Sequence, residues 1–278
     1  MKNGKQILRS AEYQLRLLFG DRKFLALFLC MFVFMYSAAR ELREFLAAVG
    51  VKATPYLFPF MTSSPWLYMC MLIGLVPLMS EAPFYRKEEL YLILREGRRK
   101  WILGNLLYCV CFSILYTLVL ILISILLLAG YLQPGLEWGK VWTTLAVTDA
   151  AEQIGLTVPV SQYVIFQYSP LQAMLLAALL NVLVNIFYSF LLWGLNLTTG
   201  RLVGIAAVCA SMCLVTRVMY LPDFVWYLTP AAWADLGSLY INGPSNATVV
   251  KSVIRLLILD GVLGVYAYIR TLRADLGK

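Results

Sequence analysis

The sequence predicts an all-α polytopic membrane protein with six transmembrane helices, and three observations lead there: composition, the length of the uncharged runs, and the one-sided placement of Lys and Arg. Of 278 residues, 61% are hydrophobic and 14% charged, with a mean hydropathy of +0.77, well outside the range of soluble globular domains. In hydrocarbon every backbone N–H and C=O must be paired internally. Long apolar runs without period-two alternation meet that demand as helices rather than as barrel strands.

The uncharged runs are residues 24–39, 66–80, 101–130, 171–200 and 202–216, and a sixth, 253–268, carries Arg255 and Asp260. With their flanks they approach the roughly 17 to 25 residues that a helical span requires. The spans are therefore expected at 24–45, 62–80, 101–130, 170–199, 202–220 and 251–270, within one transmembrane domain covering 1–278. The first span is expected to be retained rather than cleaved as a signal sequence, since charged, amphipathic chain precedes it and no A-x-A-like site follows.

Orientation follows from the basic residues. Lys2, Lys5, Arg9, Arg16, Arg22 and Lys23 precede the first span, and Arg86, Lys87, Arg95, Arg98, Arg99 and Lys100 lie between the second and third. Arg201, Arg270, Arg273 and Lys278 join them, which places 16 of 23 basic residues on one side. By the positive-inside rule that side is cytoplasmic, and both termini with it. The formal charge of +8 thus reads as an inner-leaflet signature and gives no reason to expect nucleic acid. All six cysteines fall inside expected spans, away from any oxidising loop, and read as small apolar residues.

Residues 1–23 form an amphipathic helix, with Ile7, Leu8, Ala11, Leu15, Leu18 and Phe19 on one arc and Lys5, Arg9, Glu12 and Arg16 opposite. Such a helix lies in the membrane interface. Ser64-Pro65 and Ser169-Pro170 give cap signals at the openings of the second and fourth spans. Pro77 is expected to kink the second span near its cytoplasmic end. The external loops, 131–168 and 221–250, exceed ordinary connector length and should contain structure. In the first, Trp138, Val141, Trp142 and Leu145 recur at helical spacing, which suits a short helix with its indoles at the headgroups. In the second, Phe224–Leu228 and the apolar patch 231–240 are too short to span, and read as re-entrant or interfacial helices.

Absences narrow the chemistry. The chain has no His, which removes Ser-His hydrolases and His-ligated metal sites. It has no G-x-x-x-x-G-K-[ST] run, so nothing in it cradles nucleotide phosphates. No enzyme activity and no metal or cofactor bound by this chain is expected.

Two groups of residues remain as candidates. The segment 81–100, EAPFYRKEELYLILREGRRK, is short, charged and bracketed by spans. Its middle, 86–94, can form two to three helical turns, with Leu90, Ile93 and Leu94 at i, i+3 and i+4 offering an apolar face and Arg86, Lys87, Glu88 and Glu89 alongside; the other reading is a solvated loop carrying positive-inside charge. In the fourth span, Asn181, Asn185 and Ser189 form a polar stripe that must face either protein, as interhelical hydrogen bonds, or a passage. Asp260, in the sixth span, is five residues from Arg255, off the same-face spacing, and is expected to find its partner on another helix. Its role stays open between structure and ion relay.

These features together resemble the membrane subunit of type-2 ABC exporters over the whole chain. The resemblance rests on residues 7–19 as an N-terminal elbow helix and on 81–100 as the cytosolic coupling segment, followed by Lys100-Trp101-Ile102-Leu103-Gly104-Asn105. It also rests on 221–240, with Tyr227-Leu228-Thr229-Pro230, as the re-entrant region. The loop between the third and fourth spans is longer than that family's usual pattern. What the resemblance implies is a permease that moves an amphiphilic substrate, such as a peptide antibiotic, a drug or a lipid-linked molecule, across the bacterial plasma membrane. It further implies cytosolic ABC ATPase subunits holding ATP and Mg, with Arg86 to Leu94 as the ATPase contact, and a second permease copy or paralogue in the bilayer. Asn181, Asn185, Ser189 and Asp260 are the candidate translocation path. The alternative reading is an ATP-independent, ion-coupled carrier or channel that uses Asp260 and the span-four asparagines at mid-membrane.

Overall fold

A computed structural model of the chain describes residues 2–84, 93–95, 97–221, 223–240 and 247–274. The architecture is all-helical, and the described residues contain no strand beyond an isolated parallel bridge between Ala53 and Leu132. Three helices are long and apolar enough to cross a membrane: α7 (Arg98–Leu127), α11 (Pro170–Thr198) and α14 (Val249–Arg273). A fourth candidate is the bent pair α2 (Arg22–Ala38) and α3 (Arg40–Val49), while the apolar helices over Pro65–Met79 and Arg201–Thr216 are shorter.

Helix α11 is the centre of the bundle, with 61% of its apolar stretch buried, against 44% for α7 and 22% for α14. Its start is fixed by a capping box: the Ser169 hydroxyl accepts from the Gln172 backbone N–H and the Gln172 side chain accepts from the Ser169 N–H, with Pro170 in the first turn. It packs along α14 in parallel, at glycines. A Cβ at position 194 would lie 2.9 Å from the Tyr266 ring, and one at 264 would lie 3.3 Å from Phe190. Small residues of this kind let two backbones approach closely, which is what holds helices together where apolar burial discriminates little between protein and lipid.

The same principle explains α1 (Lys2–Gly20), which packs along α7. The protein-facing residues are Ser10, Ala11, Gln14 and Leu18, whereas Leu8 and Phe19 stay exposed. Ser10 sits against Gly104, where a Cβ would come within 2.5 Å of it. The face that meets the protein is thus one edge of the apolar arc, Ala11 and Leu18, joined by Ser10 and Gln14, and close approach at Gly104 brings that small and polar flank inward.

Two expected spans are interrupted. Between α2 and α3 the axis bends by 53° at Ala39, whose N–H still reaches Met35 O and Tyr36 O. Beyond the bend, Leu42 and Leu46 bury one face of α3, and Arg43 donates to Leu127 O at the end of α7. There it satisfies a carbonyl that the helix leaves open. The chain from 58 to 79 is divided into α4 (Phe58–Ser63), α5 (Pro65–Ile73) and α6 (Val76–Met79). Ser64 takes the extended conformation that precedes proline, but its hydroxyl makes no cap and reaches Thr157 O instead. The break expected from Pro77 falls earlier, at Gly74–Leu75. Pro77 lacks the N–H that would pair with the carbonyl four residues back, and the Tyr116 hydroxyl occupies the space beside Gly74 and donates to Met71 O at 2.6 Å.

The loop between α7 and α11 contains α8 (Gly139–Val147), α9 (Ala150–Gln153) and α10 (Gln162–Gln167). The helical face Val141, Trp142 and Leu145 is present with Trp138 at its start, and all four are buried in protein. Both indoles find acceptors, Trp138 on Tyr168 O and Trp142 on Thr54 O, and both rings pack on Phe60. Helix α12 (Arg201–Cys213) does not continue to 220 as one α-helix; it tightens into 3₁₀ turns at Leu214–Thr216 and Val218–Tyr220. The following segment folds as α13 (Asp223–Leu228) and two 3₁₀ turns, Pro230–Ala234 and Leu236–Ser238, both largely buried.

Candidate functional site

Of the residues singled out in the segment 81–100, Arg86, Lys87, Glu88, Glu89 and Leu90 lie outside the described residues. Ile93 and Leu94 are in helical backbone; Ile93 packs on the core and Leu94 is 82% exposed. The two roots of this segment are described, and both are tied to the bundle.

The first root is residues 80–84. Lys23, in the first turn of α2, pairs with Glu81 at 2.8 Å, and Arg201, at the start of α12, donates to the Ser80 hydroxyl at 3.1 Å. The Asn196 amide on α11 donates to both Ser80 O (3.1 Å) and Ala82 O (2.8 Å), and the Asn105 amide on α7 donates to Pro83 O at 3.2 Å. Phe84 follows, buried edge-on against Tyr108 and Trp193. Amide side chains suit this task because each supplies two donors that can reach consecutive backbone carbonyls left open past a helix end. The second root is Arg98, whose guanidinium donates to Thr271 O and Ala274 O at the C-terminal end of α14, where a cation is electrostatically favoured. The segment is thus anchored to α2, α7, α11, α12 and α14. Asn196, Asn105 and Arg98 had no sequence signal, since their partners are backbone atoms more than 20 residues away.

The polar stripe of α11 is buried: Asn181 and Asn185 are each 1% exposed and Ser189 is fully enclosed. Both amides donate to the Thr117 hydroxyl of α7, at 2.9 and 3.2 Å, and Thr117 donates to Ser113 O one turn back. Ser189 turns back on Asn185 O and so stays within its own helix. Of the two open readings, this geometry is that of an interhelical clasp. The Asn181 and Asn185 carbonyl oxygens remain without partners among the described residues.

Among the described residues Asp260 does not find the partner on another helix that its sequence position predicts. It is 7% exposed, and neither carboxylate oxygen has a partner among the described residues. Since Gly264 faces Phe190 across parallel helices, Asp260 lies about 6 Å, one turn, earlier, at the level of Ile186 and the asparagine clasp. Arg255 is directed elsewhere, as the five-residue spacing required: its guanidinium lies 5.2 Å from the Tyr227 ring and 5.8 Å from that of Trp233.

At the opposite end of the bundle from the 81–100 roots is a partly open cavity of about 120 Å³, walled by Thr62 and Tyr68, by Val215 beyond α12, and by Trp226, Ala232 and Asp235. Asp235 joins the two 3₁₀ turns, and its Oδ1 accepts from the Gly237 N–H at 2.9 Å. Burial raises its pKa above the ordinary carboxylate value, and hydrogen bonds from Ser63, Gly237 and Ser238 oppose that rise. In the sequence it was one of several acids in an external loop. The available signal was its position inside the apolar run 231–240, where a solvated acid is out of place.

Compared with known proteins, the chain matches no family model, no curated protein and no solved structure.

Proposed function

We propose that this chain is the permease subunit of a type-2 ABC exporter, moved by cytosolic ATPase subunits that hold ATP and Mg. In this reading α2–α3, α4–α6, α7, α11, α12 and α14 make six crossings of a bacterial plasma membrane with both termini inside. Helix α1 is the elbow, residues 81–100 are the coupling segment, and a second permease copy or paralogue completes the path for an amphiphilic substrate.

The supporting observation is the anchoring of the segment roots. A load applied to a free loop dissipates in the loop. A load applied between Phe84 and Arg98 is delivered to five helices at once, through Lys23, Asn105, Asn196, Arg201 and the carbonyls of α14. ATP can shift the helices only through a partner contact that differs between two arrangements, and Leu94, apolar and projecting, offers such a contact.

The test is affinity purification of the tagged chain from its own membranes, with the ATPase content measured against the permease. A stoichiometric ATPase that is lost on Leu94→Asp, in protein that still inserts, is expected; Leu94 is exposed, so its replacement leaves the core intact. An ATPase retained in full by Leu94→Asp would remove the coupling role.

The unpartnered Asp260 favours a second reading, an ion-coupled carrier, because a buried acid in a membrane helix costs about 2.5 to 3.5 kcal/mol and is kept where it serves a pathway. That reading requires transport by the chain alone under an ion gradient, abolished by Asp260→Asn.

A further inference from the structure

The cavity at the Asp235 end of the bundle poses a chemical question that neither reading of the function answers. It is lined by different parts of the chain: Thr62 and Tyr68 from α4 and α5, Trp226 from α13, and Ala232, Asp235 and Ser238 from the 3₁₀ turns. Most of this wall is apolar or aromatic, and one anionic group is set into it.

The carboxylate is more than a turn cap. Capping the Gly237 N–H takes a single oxygen acceptor, which Asn would provide equally well and without a charge. Ser63 and Ser238 add neutral donors, but among the described residues no Lys or Arg pairs with Asp235. A half-buried carboxylate with only neutral donors, set in an apolar wall, keeps its charge available to a cation that enters the cavity.

A cation suited to this wall would be organic rather than metallic. A hard metal ion takes six or more oxygens, and no group of three potential metal-binding side chains occurs among the described residues. An ammonium attached to an apolar body would satisfy both parts of the wall, the carboxylate by its N–H donors and the Tyr68 and Trp226 rings by contact or by cation–π attraction. Size limits the body: about 120 Å³ is close to the roughly 150 Å³ of an apolar cavity that accepts benzene.

We propose that this cavity is a binding site for a compact organic ammonium ion, a protonated amine on a body of about one ring, with Asp235 as its counter-ion and Tyr68 and Trp226 as its apolar walls. The proposal does not depend on how transport is driven, because it concerns a site remote from the ATPase-facing segment.

Calorimetric titration of the purified full-length chain in detergent tests it, with benzylammonium as the probe and benzyl alcohol as the neutral match of equal shape. Saturable benzylammonium binding is expected, with benzyl alcohol at least tenfold weaker. Asp235→Asn, which keeps the oxygen that caps Gly237, should weaken benzylammonium at least tenfold and leave benzyl alcohol unchanged. Ala232→Leu, which fills the cavity without touching the charge, should abolish binding of both. Equal affinity for amine and alcohol in the wild-type protein overturns the proposal, as does full benzylammonium affinity in Ala232→Leu. If Asp235→Asn does not fold, those two comparisons decide alone.

Discussion

Replacing Thr117 by Val isolates the clasp between α7 and α11. Valine has nearly the shape of threonine, so no cavity opens, but the hydroxyl that accepts from both Asn181 and Asn185 disappears. Thr117 is 1% exposed, so bulk solvent does not reach the two amides to replace what is lost. Interhelical hydrogen bonds in membranes are worth about 0.6 kcal/mol on average and about 1.7 kcal/mol at most, so two of them set the loss at about 1 to 3 kcal/mol. The assay is reversible unfolding in bicelles, with Thr117→Ser as control: it restores the acceptor and removes only a methyl group, which should cost less than about 1 kcal/mol. In the background Asn181→Leu with Asn185→Leu, Thr117→Val should cost much less, because the donors are gone. A loss below about 0.5 kcal/mol for Thr117→Val in the wild-type background, or an equal loss in both backgrounds, would refute the clasp.

Three further outcomes follow from the same structure. Gly104→Leu drives a side chain into Ser10, which lies 2.5 Å from the first added carbon, so α1 should detach, and its amides should exchange faster while those of α11 do not. Asp235 has a raised folded-state pKa, so its contribution to stability is full below the unfolded value of about 3.9 and declines as pH rises through the folded value. Asp235→Asn should flatten that part of the stability–pH curve and stabilise the protein at neutral pH; an unchanged curve would show that burial does not act on this group. Arg98→Met should expose the end of α14 to faster exchange at residues 271–274 through loss of its carbonyl contacts.

Features written in short-range residue chemistry were legible in the sequence. Ser169-Pro170 marked the start of α11, and Gln172 completes that cap. The spacing of Val141, Trp142 and Leu145 marked α8. The unbroken apolar runs marked α7 and α11. What was not legible depends on partners distant in the chain. Nothing at Ala39, neither Gly nor Pro, announces a bend of 53°; the bend lets Leu42 and Leu46 bury and Arg43 reach the end of α7. The apolar arc of α1 is legible, but the part Ser10 and Gln14 play in docking beside Ala11 and Leu18 is not, because Gly104 selects Ser10 by closeness. The indoles of Trp138 and Trp142 suit headgroups or protein equally well until Phe60 and two backbone carbonyls are brought beside them.

The candidate residues divide in the same way. Asn181 and Asn185 were visible as a stripe, yet Thr117, the residue that gives the stripe a structural role, lies on another helix. Asp260 was visible as a buried acid, and among the described residues its carboxylate has no partner. Asn196 and Arg201, which hold the root of the 81–100 segment, looked like ordinary polar residues at the end of one span and the start of the next.

The central claim is that work enters through the 81–100 segment and reaches the helices by its anchored roots. It is tested most directly by the ratio of substrate moved to ATP hydrolysed in proteoliposomes holding the chain with the ATPase proposed for it, compared between the wild type and the pair Asn196→Ala with Arg201→Ala. The account requires hydrolysis to persist while transport falls at least tenfold. An unchanged ratio in the double variant, or uptake by the chain alone under a proton or salt gradient, would contradict it.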